Sequence, residues 1–201
     1  MKWLGALFLF VSTPLAQLPS CLSTGTTSPL GTLNAADDFE TDLSQWTTGG
    51  DVPRDPNHPG QDIAWDITIR RDRAYQGLQS AQFTLDGRQD DGTIWLQRAF
   101  TTSLDRSYRV TLSFQFWSED ASFNTIAKVA AYAGPQAPAV EADFNTTLAA
   151  NLVAGWRSYN YSFTTRSSDE GQLWVAFGIS AVWEAQITYY LDNVEITVEP
   201  L

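Results

Sequence analysis

The sequence predicts an all-β protein made of two packed antiparallel sheets, and three observations support this. From residue 62 onward, apolar residues recur at every second position more often than at the helical spacing, which is typical of strands with one buried face. Turn-forming clusters such as Asp86-Gly87 separate the apolar runs. No stretch offers a long amphipathic helix that could connect parallel strands. A two-sheet sandwich of the jelly-roll type is a common arrangement for such a set of short strands.

The alternation defines the individual strands and the face that each side chain occupies. We predict strands near residues 38–41, 64–70, 79–85, 93–100, 107–118, 126–133, 156–164, 172–179 and 187–198. The strand at 107–118 has the clearest pattern, because apolar residues occupy every second position from Tyr108 to Phe116. Successive side chains of a strand point to opposite faces of its sheet. Phe114 is therefore expected in the core, and Trp117 on the opposite, polar face together with Gln115.

The chain is expected to consist of a signal peptide, a tether and one folded domain. Residues 1–20 begin with Met1-Lys2 and an apolar run at 3–11, which is too short to span a bilayer and is typical of a secretory signal. Residues 21–36 are rich in Ser, Thr, Gly and Pro, as flexible linkers are. Residues 37–201 are then long enough for one β-sandwich domain. The protein is therefore predicted to be exported.

Cys21 is the only cysteine of the chain, and it stands directly after the signal segment, preceded by Leu18 and Ser20. This arrangement resembles the processing site of bacterial lipoproteins. The resemblance implies that Cys21 carries a lipid anchor at a cell surface or outer membrane, with the tether carrying the domain away from it. The alternative is an ordinary secreted protein whose signal is cut nearby and whose cysteine is incidental.

Charge and composition exclude several classes of function. The formal net charge is −11, and the twelve basic residues are scattered except for Arg70, Arg71 and Arg73. Binding to nucleic acid is thus not expected, because it requires clustered positive charge along a phosphate backbone. A single histidine, His58 in a turn-rich loop, and a single cysteine cannot form a zinc cage or a disulfide framework.

The aromatic residues suggest a carbohydrate ligand. Aromatic rings lie flat against the apolar faces of sugars, while neighbouring amides and cations bind the hydroxyl groups. Eight tryptophans are present, and alternation or loop position places several of them among polar residues. The candidate ligand-binding residues are Trp95, Gln97, Gln115, Trp117, Lys128, Tyr132, Asn160, Trp174 and Trp183. The alternative is that these rings are half-buried under loops and only contribute packing.

The two ends of the predicted domain carry short motifs that suggest a family. Asp-Asp-Phe-Glu at 37–40 opens it, and Tyr-Tyr-Leu-Asp-Asn-Val-Glu-Ile at 189–196 closes it. These motifs resemble the first and last strands of secreted jelly-roll carbohydrate-binding modules, the galactose-binding-like β-sandwiches. The resemblance implies non-catalytic glycan recognition and a structural calcium ion. It implies Glu40 and Asp192 as acidic ligands, with Asp38 as a further candidate and loop 75–78 supplying carbonyls, since calcium prefers hard oxygen ligands.

Two other functions remain open at this stage. One is a cell-surface structural or adhesion protein that uses the same sandwich to bind another protein, and this would require a larger apolar surface patch. The other is a glycosidase, which needs a pair of catalytic carboxylates. Glu141 and Asp143 supply half of a Glu-x-Asp-x-x-Glu arrangement, but Thr146 stands where the second glutamate would be. We therefore predict a protein that is not an enzyme.

Overall fold

The structure is a computed structural model that describes residues 31–86, 91–119, 126–146, 154–182 and 186–201. The signal segment 1–20, Cys21 and Trp183 lie outside the described residues, so the roles predicted for them stay predictions. Among the described residues, no helix is long and apolar enough to cross a membrane.

The described chain is mostly strand, with loops between the strands and one 3-10 turn at Glu141–Asp143. The strands are Leu33–Asp37 (β1), Thr47–Asp51 (β2), Trp65–Arg70 (β3), Ser80–Asp86 (β4), Asp91–Thr101 (β5), Ser107–Ser118 (β6), Ile126–Gly134 (β7), Asn145–Thr146 (β8), Gly155–Arg166 (β9), Gln172–Val182 (β10) and Gln186–Pro200 (β11).

The strands form two antiparallel sheets. Sheet A has the order β3-β4-β11-β6-β9, with β1 also paired to β11, and sheet B has the order β2-β5-β10-β7-β8. Successive strands mostly alternate between the sheets, as in a jelly roll. The two sheets pack face to face over a core that includes Phe83, Phe114 and Phe177, all at most 1% exposed. The predicted all-β sandwich is confirmed.

The alternation within β6 is also confirmed. Phe114 is 1% exposed and belongs to the core between the sheets, whereas Trp117 lies outside that core cluster on the opposite face of sheet A. The register of β6 against β9 runs without interruption from Ser107 to Ser118. A slip by one residue would have inverted every face assignment in this strand.

The N-terminal part of the domain differs from the prediction. Residues 38–41, predicted as a strand, form a turn in which the amide of Phe39 donates to Asp37 Oδ1 at 2.8 Å and Trp46 Nε1 donates to Asp37 Oδ2 at 2.6 Å. Phe39 has φ 53°, in the left-handed region and outside the extended region that regular strand residues occupy. The first strand instead begins at Leu33, so residues 33–36 belong to sheet A rather than to the tether.

Strand β2 was not predicted, because the sequence Thr-Thr-Gly-Gly-Asp has low strand propensity. The glycines are required by two neighbouring rings. A Cβ atom on Gly49 would collide with the indole of Trp95, and one on Gly50 would lie 2.9 Å from the indole of Trp65. Tertiary packing therefore outweighs local propensity in this strand.

A β-bulge in β11 positions one functional candidate. The pairing of β11 with β6 shifts between Asp192 and Glu195, and Asn193 has φ 51°, a conformation that asparagine tolerates better than most residues. The bulge leaves Asp192 opposite Gln115 and 0% exposed. This buried carboxylate lies on the outer side of sheet A, beneath the loop that follows β3.

Candidate functional site

The sandwich has two outer surfaces, called here face A (the outer side of sheet A) and face B (the outer side of sheet B). The predicted ligand-binding residues are divided between them. Gln115, Trp117 and Asn160 belong to face A, whereas Trp95, Gln97, Lys128, Tyr132 and Trp174 belong to face B. The whole set therefore cannot form one binding surface, since the two faces lie on opposite sides of the core.

On face A, Trp117 is covered rather than open. It is 8% exposed, and its ring packs edge-on against Tyr190 with 5.5 Å between ring centroids. The guanidinium carbon of Arg73 lies 3.7 Å from the centroid of the Trp117 ring, a close cation–π contact. The expectation that Trp117 is exposed is wrong, because Arg73 occupies the face on which a sugar would stack.

Arg73 belongs to the β3–β4 loop (71–79), which folds over face A and is held there by the two terminal motifs. Asp192 Oδ2 accepts hydrogen bonds from the amides of Tyr75 at 2.8 Å and Gln76 at 3.1 Å. Glu40 Oε1 accepts from the amides of Leu78 at 2.7 Å and Gln79 at 3.0 Å. The acidic residues at the two ends of the domain therefore converge on one loop.

The structural calcium ion stays a prediction. Burial raises the pKa of Asp192, the amide bonds oppose that rise, and the charge of Glu40 adds to it. Asp38, the further candidate, is exposed, and its Oδ1 accepts from the amide of Glu40 at 3.2 Å. Within the described ranges, no group of three or more His, Cys, Asp or Glu side chains is arranged to hold a metal ion. Glu40 and Asp192 would thus need backbone carbonyls to complete a calcium site.

The sequence analysis missed two aromatic residues of face A. Trp156 is half-buried and lies opposite Trp117 in the β6–β9 register, and Tyr75 of the β3–β4 loop packs edge-on against it at 5.7 Å. Tyr75 is 48% exposed. The alternation of Trp156 with Ser158 and Asn160 could have placed Trp156 on this face, whereas no local signal predicts where Tyr75 lies.

On face B, the central aromatic residue is buried. Trp95 is 2% exposed and packs against Phe144 with 5.0 Å between ring centroids, and its Nε1 donates to Gln97 Oε1 at 2.8 Å. Its neighbours on the adjacent strands are Gly49 and Gly178, which leave room for the indole. The expectation that Trp95 is exposed is wrong, because Phe144 covers it in a small second hydrophobic cluster.

Phe144 belongs to a crossing segment (135–144) that runs from the end of β7 over face B. The amide of Glu141 donates to Asp51 Oδ2, and Ser180 Oγ donates to Glu141 Oε1, both at 2.8 Å. Asp143 Oδ2 accepts from the amides of Ala139 and Val140, and these bonds lower the pKa of Asp143. Both carboxylates of the candidate glycosidase motif thus hold the crossing segment in place.

Trp174 is the predicted aromatic residue that borders an open cleft. Its neighbours in the register, Ala99 on β5 and Gly134 on β7, are too small to cover the indole, which is half-buried. The cleft measures about 470 Å³. It is lined by Pro135, Gln136, Ala137, Ser168, Asp169, Glu170, Gln172 and Trp174.

A tight turn between β9 and β10 forms one wall of this cleft. Ser168 Oγ accepts from the amides of Glu170 at 3.2 Å and Gln172 at 3.0 Å, and Gly171 has φ 74°. A Cβ atom on Gly171 would lie 2.7 Å from the carbonyl oxygen of Thr102, so glycine is required on both grounds. The turn therefore fixes Asp169 and Glu170 at the rim.

The remaining face B candidates lie at increasing distances from this cleft. Tyr132 and Gln97 lie on either side of Ala176, two residues along β10 from Trp174, and the Tyr132 hydroxyl donates to the carbonyl of Gln136 at 2.8 Å. Lys128 lies opposite Ser180, six residues from Trp174, which is about 20 Å along a strand. Tyr132 thus adjoins the cleft, whereas Lys128 does not.

Comparisons with known proteins give similar solved structures at low sequence identity. No family model matches the chain, and no curated protein matches it. The chain is similar to TmCBM61 solved with β-1,4-galactotriose, at 18% identity and TM-score 0.45, over 79% of this chain and 92% of that one. It is similar to the CBM22-1 xylan-binding domain of Paenibacillus barcinonensis Xyn10C, at 15% identity and TM-score 0.43, over 83% and 94%. It is also similar to a cleaved adhesin domain of Lys-gingipain from Porphyromonas gingivalis, at 17% identity and TM-score 0.48, over 83% and 99%.

Proposed function

We propose that the protein is an exported, non-catalytic glycan-binding domain whose binding site is the cleft beside Trp174 on face B. The observation that carries this proposal is the combination of an uncovered indole with side-chain amides and carboxylates around one opening. Trp174 supplies an apolar surface for the face of a sugar ring, and Gln136 and Gln172 supply amide groups for its hydroxyls.

The charge of the cleft favours a neutral glycan. Asp169 and Glu170 contribute carboxylates, and no Lys or Arg is among the described residues that line the opening. Sugar hydroxyls donate hydrogen bonds to carboxylates, whereas a uronate or sulfate group would be repelled. One stacked ring with a few solvated hydrogen bonds corresponds to binding free energies of about −4 to −8 kcal/mol, or millimolar to micromolar dissociation constants.

A glycan array probed with the wild type and with Trp174→Ala tests the proposal. The wild type should bind a subset of neutral glycans, and Trp174→Ala should lose that binding while unfolding at nearly the same temperature. Trp117→Ala is the matched control, since it removes a tryptophan from face A and should leave the binding of neutral glycans unchanged. Neutral glycan binding that survives in Trp174→Ala would contradict the proposal.

Export and anchoring are part of the same proposal and rest on the sequence. If Cys21 is lipidated, the wild type should be recovered in the membrane fraction, and Cys21→Ser should move it to the soluble exported fraction without changing its fold. Recovery of the wild type in the soluble fraction, with a mature N-terminus other than Cys21, would contradict the anchor.

A further inference from the structure

We propose that the β3–β4 loop on face A forms a second binding site, for a glycan that carries carboxylate groups. This site is separate from the Trp174 cleft and does not depend on the function proposed for it. Arg70, Arg71 and Arg73 lie within four consecutive positions of a chain whose net charge is −11, and all three are exposed.

In the described part of the chain, the three guanidinium groups contact neutral side chains. Among the described residues, no carboxylate forms an ion pair with any of them. Arg70 Nε donates to Gln82 Oε1 and Arg71 Nε donates to Gln79 Oε1, both at 3.4 Å, so their contacts are with neutral amides. Asp72 is the one acid in the run, and its Oδ2 accepts from Gln82 Nε2 at 3.5 Å. The run itself therefore carries three positive charges and one negative charge, and the other two carboxylates at this loop, Glu40 and Asp192, are bound to its backbone amides.

The aromatic residues beside the arginines supply the second half of a glycan site. Tyr75, 48% exposed, packs against Trp156, which is the cross-strand neighbour of the Trp117 ring under Arg73. Gln82 Nε2 donates to the Tyr190 hydroxyl at 3.0 Å. Exposed rings bind the apolar faces of sugars, and guanidinium groups bind carboxylates through two parallel hydrogen bonds. A neutral glycan would leave the arginines unused, whereas a uronate polymer uses both features.

The loop is held in position for this role. Its amides at Tyr75, Gln76, Leu78 and Gln79 are bound by Asp192 and Glu40, and Arg73 is stacked on Trp117. The arginine side chain on the ring therefore loses little further freedom when it binds an anion, which favours affinity.

Affinity electrophoresis of the exported chain in gels that contain polygalacturonate tests the site, with dextran as the neutral control and dextran sulfate as the sulfated one. Polygalacturonate should retard the protein although both are negatively charged, and dextran should not. The double variant Arg70→Gln/Arg73→Gln should bind polygalacturonate at least about tenfold more weakly, because two charge-assisted contacts are removed. Trp174→Ala should leave it unchanged.

Two further variants separate binding from folding. Arg70→Gln alone removes one exposed contact at the end of β3. It should weaken the binding of polygalacturonate by about threefold and leave the melting temperature unchanged. This comparison can be made even if the Arg73 variant unfolds. Arg73→Lys should bind more weakly than the wild type but better than Arg73→Gln, since lysine keeps the charge without the planar fork. Equal retardation of the wild type and Arg70→Gln, retardation by dextran sulfate alone, or binding of RNA or anionic vesicles in place of polygalacturonate would overturn the proposal.

Discussion

Face A and face B carry the same sequence pattern, a tryptophan among polar residues on the outer side of a sheet, yet they become different surfaces. On face A, the β3–β4 loop places Arg73 on Trp117 and leaves basic and aromatic groups outward. On face B, the crossing segment buries Trp95 under Phe144, while its first residues, 135–137, border an acidic cleft together with Trp174. Strand alternation sets the face on which a side chain lies, and the segment that folds back over the sheet determines whether that side chain is accessible to a ligand.

The β3–β4 loop and the crossing segment are also held in place by different kinds of contact. Carboxylates of the terminal motifs bind four backbone amides of the β3–β4 loop, so its cover depends on polar contacts. The crossing segment combines polar contacts at Glu141 with a small apolar cluster around Trp95. We therefore expect substitutions on the two faces to lower the free energy of unfolding by different amounts. These losses should also depend differently on solution conditions.

The largest expected effect is from Trp95→Ala on face B. The ring is 2% exposed, so its truncation should lower the free energy of unfolding by about 3–5 kcal/mol, as for other buried aromatic residues. Urea denaturation measures this. Trp174→Ala is the control on the same face and should cost less than about 1 kcal/mol. Equal costs for the two would show that the crossing segment does not cover Trp95 in solution.

Asp192→Ala should have the next largest effect. It leaves the amides of Tyr75, Gln76 and Asn193 without their acceptor. Unsatisfied groups of this kind cost about 1–3 kcal/mol each, partly recovered by water, so a loss of about 2–4 kcal/mol is expected. Faster hydrogen exchange in loop 71–79 and at the Asn193 amide should accompany it. Unchanged exchange there would show that the terminal motifs do not hold the loop.

The calcium prediction concerns the carboxylates of Glu40 and Asp192. A cation beside Glu40 and Asp192 would bind the folded state alone, so calcium at about a hundred times its dissociation constant should stabilise the fold by about 2.7 kcal/mol. Calorimetry with calcium and with chelator measures the shift in melting temperature, and Asp192→Ala should remove it. Identical melting temperatures in the wild type would exclude a structural calcium ion and leave the amides as the sole partners of these acids.

A smaller effect is expected from Trp117→Ala on face A. The ring is 8% exposed, but one of its faces is covered only by the exposed side chain of Arg73, so we expect a loss of about 1–3 kcal/mol. Phe114→Ala, in the same strand but facing the core, should cost more. A larger loss in the free energy of unfolding for Trp117→Ala than for Phe114→Ala would show that packing on face A contributes more to stability than expected here.

The sequence was sufficient for the fold and for the face of most side chains, but not for their exposure. Alternation places Phe114 inside and Trp117 outside correctly, because the period of a strand is a local property. The coverings are not local: the amide of Tyr75 finds its acceptor 117 residues away at Asp192, and Glu141 finds Asp51 90 residues away. The Gly-Gly strand β2 was missed for the same reason, since its stability comes from Trp95 and Trp65 rather than from its own residues.

The central claim is that the uncovered tryptophan of face B binds a neutral glycan and that the covered ones do not. The most direct measurement follows the indole N–H signals in ¹⁵N–¹H correlation spectra during titration with cellohexaose, xylohexaose and β-1,4-galactotriose, with assignments from single Trp→Phe variants. At least one sugar should shift the Trp174 signal at millimolar concentration or below, while those of Trp95 and Trp117 stay in place. A shift of the Trp117 signal with Trp174 unmoved, or no shift of any indole with all three sugars, would contradict the account.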